Sequence, residues 1–122
     1  MTLVDTSVWV DHLRKDNASL KGLLLAGKAV VHPFIVGELA CGNLKNRTEI
    51  LKLLAELPHA AMADHQEVLT FIESNRLYGK GIGWIDSHLL AAALLSDLQI
   101  LTYDKAIGEA AAMLGIEYKE GI

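Results

Sequence analysis

Two aspartates follow predicted strands, at positions where an acidic side chain could do chemistry. Asp5 comes directly after the apolar run Thr2-Leu3-Val4, and Asp104 follows the run Gln99-Ile100-Leu101-Thr102. In open parallel α/β sheets, ligands bind outside the carboxyl ends of the strands. If these two strands are neighbours where the strand order reverses, Asp5 and Asp104 lie side by side in that crevice. The alternative is that each aspartate is an ordinary helix N-cap.

Two further carboxylates lie in predicted helices that are otherwise apolar. Glu38 is the only acidic or basic side chain in residues 33–44, and Asp86 shares residues 81–95 with one other titratable group, His88. An isolated carboxylate on an apolar surface is unfavourable unless something compensates its charge. The alternatives are that the Glu38 side of its helix reaches solvent and that Asp86 stabilises the start of its own helix.

Four such carboxylates in one pocket could not all stay ionised without compensation. Two unit charges 4 Å apart repel each other by about 4 kcal/mol at an effective dielectric constant near 20. The pocket would therefore take up protons or bind divalent cations. All-oxygen ligands favour hard ions, Mg²⁺ or Mn²⁺, and the chain has no Cys/His spacing typical of a zinc site. Cys41 is its single cysteine.

Strands alternate with helices along the chain, and this alternation must position the four acids. We predict strands at residues 2–4, 29–31, 60–62, 99–102 and 116–118, and helices at residues 7–15, 18–26, 33–44, 47–57, 65–77, 84–95 and 105–114. Because hairpin signals are lacking, the connections should be right-handed crossovers between parallel strands. We therefore expect an α/β fold, a three-layer α/β/α sandwich with a small central parallel sheet, formed by residues 1–122 as a single domain.

The composition indicates a folded protein, with 52% apolar and 21% charged residues. The net charge of −4 argues against a simple basic surface for nucleic acid, but bound cations can reverse the field of an acidic pocket. The sequence shows neither the pattern of a signal peptide nor an apolar run long enough to span a bilayer. We therefore expect a cytoplasmic protein that does not associate with a membrane.

Several segments carry a likeness to a known family. They are Val4-Asp5-Thr6-Ser7, the helix of Glu38, the stretch from Gly81 to Asp86, and Leu101-Thr102-Tyr103-Asp104. Together they resemble the PIN-domain ribonucleases, specifically the VapC-type toxins of type II toxin–antitoxin systems. Each of the family's four acidic positions has a match here in the expected order. The chain departs from the family after the last aspartate, where Lys105 follows instead of a stretch with acidic or aromatic residues.

The resemblance implies an endoribonuclease that hydrolyses RNA phosphodiester bonds and leaves a 5′-phosphate and a 3′-hydroxyl. Asp5, Glu38 and Asp86 would hold Mg²⁺, or Mn²⁺, and Asp104 would complete a second site or orient water. The implied partners are an RNA substrate, a cognate VapB-type antitoxin and a second copy of the chain in a homodimer. The antitoxin would pack over the apolar helices near Trp9 and residues 44–57.

Other polar and aromatic side chains near these motifs have two readings each. Thr6 and Thr102 could orient the carboxylates, or they could simply cap a helix and fill a strand. Basic residues could contact RNA phosphates or remain solvated surface charges, and Lys15 could pair with Asp11 four residues earlier. The best placed of them are Arg14, Lys15, Lys80 and Lys105, with Lys45 and Arg47 as further candidates. We expect Trp9 and Trp84 in the core, and His12 and His88 on the surface.

Four other functions compete with a toxin. A PIN-domain nuclease could work in RNA processing without an antitoxin, and a non-catalytic module could bind Mg²⁺ through the same acids. A phosphoacceptor receiver domain would need paired acids at the first strand, where only Asp5 is found. A phosphatase of the haloacid dehalogenase type would need an Asp-x-Asp motif, and this chain has Asp5-Thr6-Ser7.

Overall fold

A computed structural model describes residues 1–120, in which seven helices surround a three-stranded sheet. The strands are β1 (Thr2–Val4), β2 (Ala29–Val30) and β3 (Gln99–Leu101). The helices are α1 (Thr6–Lys15), α2 (Ala18–Leu25), α3 (Pro33–Ala40), α4 (Arg47–Glu56), α5 (His65–Ser74), α6 (Trp84–Leu95) and α7 (Lys105–Leu114).

β1 is the central strand of a parallel sheet with the order β2-β1-β3. Leu3 is in register with Val30 on one side and with Ile100 on the other. The chain leaves β1 towards one edge and later returns to the opposite edge, so the strand order reverses between β1 and β3. This confirms that the strands preceding Asp5 and Asp104 are neighbours at a switch point of the sheet.

Helices cover both faces of the sheet. Consecutive side chains of a strand point to opposite faces, and Thr2, Leu3 and Val4 are all buried. Helix α6 contributes the most continuous buried stretch, since the side chains of residues 89–93 are all at most 1% exposed. The α/β architecture expected from the alternation of elements is therefore confirmed. Among residues 1–120, no helix is long and apolar enough to cross a membrane.

In place of two of the predicted strands the structure has single parallel bridges. His59 pairs with Val31 at one edge of the sheet, and Glu117 pairs with Ile100 at the other. The prediction of a strand at 60–62 was therefore wrong, since the bridge lies at His59 just before that range, and the prediction of a strand at 116–118 was wrong in extent. Pro58 lacks a backbone N–H and residues 60–62 have no β-branched side chain, which limits pairing at the first edge.

Two predicted helices end early. α3 stops at Ala40 rather than at residue 44, because the Arg47 guanidinium donates hydrogen bonds to the carbonyl oxygens of Ala40 (2.6 Å) and Gly42 (3.2 Å) and so satisfies the end of the helix. α5 stops at Ser74 rather than at residue 77, and the Asn75 side chain donates to the Phe71 carbonyl. Every other predicted helix agrees with the structure to within one residue at each end.

Candidate active site

Asp5 is a buried carboxylate at the carboxyl end of the central strand, with only 5% of its surface exposed. It occupies the N-cap position of α1, but its side chain makes no capping hydrogen bond. Its Oδ2 atom accepts hydrogen bonds from Ser7 Oγ and Thr102 Oγ1, both at 2.8 Å. The capping alternative considered for Asp5 is therefore wrong, and two hydroxyl groups hold the carboxylate in a fixed orientation.

The same two hydroxyl groups tie the turn between β3 and α7 to Asp5. Thr102 Oγ1 accepts a hydrogen bond from the Asp104 backbone N–H, and Ser7 Oγ accepts one from the Tyr103 backbone N–H, each at 3.0 Å. Asp5 and Asp104 thus lie in one hydrogen-bonded network. Ser7 was not predicted as a site residue, although a hydroxyl two residues after an aspartate is a known pattern of local hydrogen bonding.

Asp104 also caps the helix that it precedes. Its Oδ1 atom accepts a hydrogen bond from the Ile107 backbone N–H at 2.9 Å, and its side chain is exposed. The capping role that the sequence left open is therefore present, and it leaves Oδ2 without a hydrogen bond from any residue in the range 1–120.

Glu38 lies on an exposed side of α3, so solvent reaches this carboxylate. Its Oε1 atom accepts a hydrogen bond from Thr6 Oγ1 at 3.0 Å. Thr6 follows Asp5 directly, so this contact connects α3 to the start of α1 at the carboxyl edge of the sheet. The charge of Glu38 needs no buried partner, and its proximity to the Asp5 segment is what marks it as a site residue.

Asp86 stabilises the first turn of α6. Its Oδ2 atom accepts a hydrogen bond from the Gly83 backbone N–H at 3.0 Å, which is the backward bond of a capping box. Gly81, in the preceding loop, has a φ of +76°, and a Cβ atom at this residue would lie 4.0 Å from the Cβ of Ala106. The loop before Asp86 therefore packs against the first turn of α7, which Asp104 caps.

The four acids share a pattern of hydrogen bonding. Within residues 1–120, each uses one carboxylate oxygen for its hydrogen bonds and has a second oxygen without any, and the single ion pair there joins Lys15 to Asp11 at 3.6 Å. No basic side chain in that range neutralises Asp5, Glu38, Asp86 or Asp104. Their donor set, carboxylate oxygen alone, fits a hard divalent cation.

As they lie in residues 1–120, the four carboxylates do not surround a common position where such an ion could bind. No group of three or more His, Cys, Asp or Glu side chains among residues 1–120 is placed so that it could hold a metal ion. Each of the four acids instead accepts hydrogen bonds from hydroxyl groups or from a backbone N–H. Coordination of one ion by several of these acids would require their side chains to turn towards it.

The basic residues proposed to contact RNA occupy different surroundings. Arg14, Lys15, Lys80 and Lys105 are all exposed. Lys15 is engaged with Asp11, and Lys80 Nζ lies 3.8 Å from Met113 Sδ on α7. Lys105 directly follows Asp104 and is the candidate closest to the acidic network along the chain.

Two histidines, His32 and His88, are buried, and the burial of His88 contradicts the prediction that it lies on the surface. His88 is only 5% exposed. Its ring packs edge-on against Phe34 and Trp84. Burial lowers the pKa of His88, and the nearby His65 lowers it further by electrostatic repulsion. Burial is also the main reason that the pKa of His32 is lowered to about 4. Both imidazoles are therefore neutral at pH 7.

The two tryptophans differ in their exposure. Trp9 is 1% exposed and belongs to the core, as predicted. Trp84 is 40% exposed, so the prediction that it is a core residue was wrong. It is the first residue of α6, and its ring packs against those of His65 and His88.

Comparison with known proteins gives the family. Residues 2–113 match the model of the PIN domain. The chain is 41% identical, over 100% of its own length and 99% of the relative's, to Ribonuclease VapC32 of Mycobacterium tuberculosis, both in strain CDC 1551 / Oshkosh and in strain ATCC 25618 / H37Rv. The chain therefore belongs to the PIN-domain family and, within it, to the VapC type.

Proposed function

We propose that this chain is an endoribonuclease toxin that depends on Mg²⁺, or Mn²⁺, and hydrolyses RNA phosphodiester bonds. The observation that carries the proposal is Asp5, a buried carboxylate at the switch point of the sheet that caps nothing and has no basic partner within residues 1–120. Its relatives in M. tuberculosis are named ribonucleases. A buried carboxylate that has hydrogen bonds but no basic partner is unfavourable for folding, and this supports a functional reason for its position.

Asp5, Glu38, Asp86 and Asp104 are the residues proposed to hold the cation. Ser7 and Thr102 both donate to Oδ2 of Asp5, which leaves Oδ1 free for a ligand. Thr6 donates to Oε1 of Glu38 and in the same way leaves Oε2 free. We assign Thr6 and Thr102 to orienting the carboxylates. The capping bonds of Asp86 and Asp104 likewise leave one oxygen of each free for a ligand.

The chemistry that a divalent cation supplies in such a site is activation of water and neutralisation of charge on the phosphate. In the proposed reaction a water oxygen bonds to phosphorus and the bond from phosphorus to the 3′-oxygen breaks. The products are a 5′-phosphate and a 3′-hydroxyl. Arg14, Lys15, Lys80 and Lys105 would bind flanking phosphates, and their exposure leaves them available for this role.

The proposed partners follow from the family. We propose a cognate VapB-type antitoxin, a homodimer and a cytoplasmic location for this single domain. The antitoxin would pack over α1 near Trp9 and over residues 44–57; Trp9 itself is buried, but Val10 on α1 and Leu53 on α4 are 41% and 40% exposed and available for such a contact.

The test is incubation of the purified protein with total RNA, with Mg²⁺ and with a chelator, followed by mapping of the RNA ends. We expect Mg²⁺-dependent internal cuts with 5′-phosphate ends, and none from Asp5→Asn. Saturable Mg²⁺ binding without cleavage of any RNA would instead favour a non-catalytic module. Cleavage by a protein whose gene has no short antitoxin reading frame beside it would favour a nuclease of RNA processing.

A further inference from the structure

Tyr103 is an exposed aromatic residue inside the candidate active site. It lies in the turn between β3 and α7, with Thr102 before it and Asp104 after it, and 56% of its surface is exposed. Its backbone N–H donates to Ser7 Oγ, the same atom that donates to Asp5. Two hydrogen bonds, both through Ser7 Oγ, therefore connect the Tyr103 backbone to the buried carboxylate of Asp5.

The other end of Tyr103 is also fixed. The hydroxyl oxygen accepts a hydrogen bond from Asn17 Nδ2, and Asn17 is itself buried. The orientation of the Asn17 amide is unambiguous, because its Oδ1 accepts from the Leu20 backbone N–H while Nδ2 also donates to Asp11. Since the backbone and the hydroxyl are both held, the ring keeps its position at the surface, and a ligand that stacks on it would not have to order the side chain.

We propose that Tyr103 is the platform on which an RNA base next to the cleaved bond stacks, an inference that rests on the ribonuclease function proposed above. A base is one sugar away from its phosphate, so a tyrosine that directly precedes Asp104 and whose backbone is bonded to Ser7 is close to the nucleotide whose phosphate these acids would bind. Single-stranded RNA is recognised mainly by stacking of unpaired bases on aromatic side chains.

Other exposed aromatic residues are less suited to this role. Trp84 packs against His65 at 5.0 Å and His88 at 4.7 Å between ring centroids, so protein groups already occupy part of its surface. Tyr78 is 58% exposed, but its hydroxyl has no hydrogen bond from any residue in the described part of the chain. Tyr78 is therefore a control of equal exposure that lacks the tether to the acidic network.

The experiment compares Tyr103→Ala, Tyr103→Phe and Tyr78→Ala on an oligonucleotide that contains a cleavage site mapped with the wild-type protein. We expect Y103A to raise KM roughly 5- to 150-fold, the range for loss of one stacked base, with little change in kcat because stacking binds the substrate and transition state alike. Y103F keeps the ring and should stay closer to the wild type, and Y78A should match it.

Fluorescence of 2-aminopurine, placed on either side of the cleaved bond, supplies a second readout. Wild type and Y103F should quench it at one position, and Y103A should not. Unchanged KM and quenching in Y103A, an equal loss in Y78A, loss of quenching in a folded Y103F, or a fall in kcat alone would each overturn the inference while leaving the nuclease in place. A wild-type protein that cuts no RNA would overturn the proposed function and this inference together.

Discussion

Thr102→Val tests whether a single hydroxyl group controls the candidate site. Valine has nearly the shape of threonine, but it removes the hydrogen bond to Asp5 and the acceptor for the Asp104 backbone N–H. A hydrogen bond to a charged group contributes about 1.5–3 kcal/mol and a neutral one about 1 kcal/mol. Asp104 is exposed, so water replaces the second bond, and we expect a net loss of about 2 kcal/mol in the free energy of unfolding.

Two assays measure this prediction. For a chain of this size, 2 kcal/mol lowers Tm by roughly 6–12 °C. Because loss of a group that orients a metal ligand weakens metal binding, the Mg²⁺ concentration that gives half-maximal cleavage should rise roughly 10- to 100-fold.

Thr102→Ser is the matched control. It keeps the hydroxyl group and loses only the methyl group that lies near Gly108, so its Mg²⁺ dependence should equal that of the wild type. If T102V and T102S share the wild-type Mg²⁺ dependence, the hydroxyl does not orient Asp5 for a cation, and the reasoning is refuted.

Two further predictions concern the fold around the site. Burial lowers the pKa of His32 to about 4, whereas the unfolded chain binds the proton near pH 6.5. The contribution of His32 to the free energy of unfolding should therefore be fully present above pH 6.5 and fall by up to about 3 kcal/mol as the pH drops to 4. His32→Asn keeps an acceptor for the Phe34 N–H that His32 Nδ1 now binds, and its urea midpoints should vary less over that range; an equally steep pH dependence would exclude His32 as a cause. Both terminal nitrogens of Arg47 bond carbonyl oxygens at the end of α3, so we now expect a structural role for it and no contact with RNA. Arg47→Ala should lower Tm by roughly 3–6 °C without changing RNA cleavage, whereas an unchanged Tm or a loss of cleavage would contradict that role.

The sequence predicted what depends on local pattern and on the rules of parallel sheets. Asp5 and Asp104 were found because each follows a short apolar strand, and the switch-point rule correctly made those strands neighbours. Thr102 lies next to Asp5 for the same reason.

What the sequence did not predict depends on which surfaces meet. The burial of His88 requires knowledge that Phe34, on α3, packs against it, and periodicity within α6 carries no such information. The lengths of the edge strands were overestimated because a run of apolar residues predicts burial but not pairing along its whole length. The tethering of Tyr103 by Asn17 joins residues 86 positions apart, and it could be seen only in the fold.

The most direct test of the account is calorimetric titration of the purified protein with Mn²⁺, comparing the wild type with Asp5→Asn. Asparagine retains an oxygen that can accept from Ser7 and Thr102, so the fold and Tm should be preserved. We predict saturable binding of Mn²⁺ to the wild type and the loss of both this binding and RNA cleavage in D5N. Equal Mn²⁺ affinity of the two proteins would contradict the claim that Asp5 is the residue around which the cation site is built.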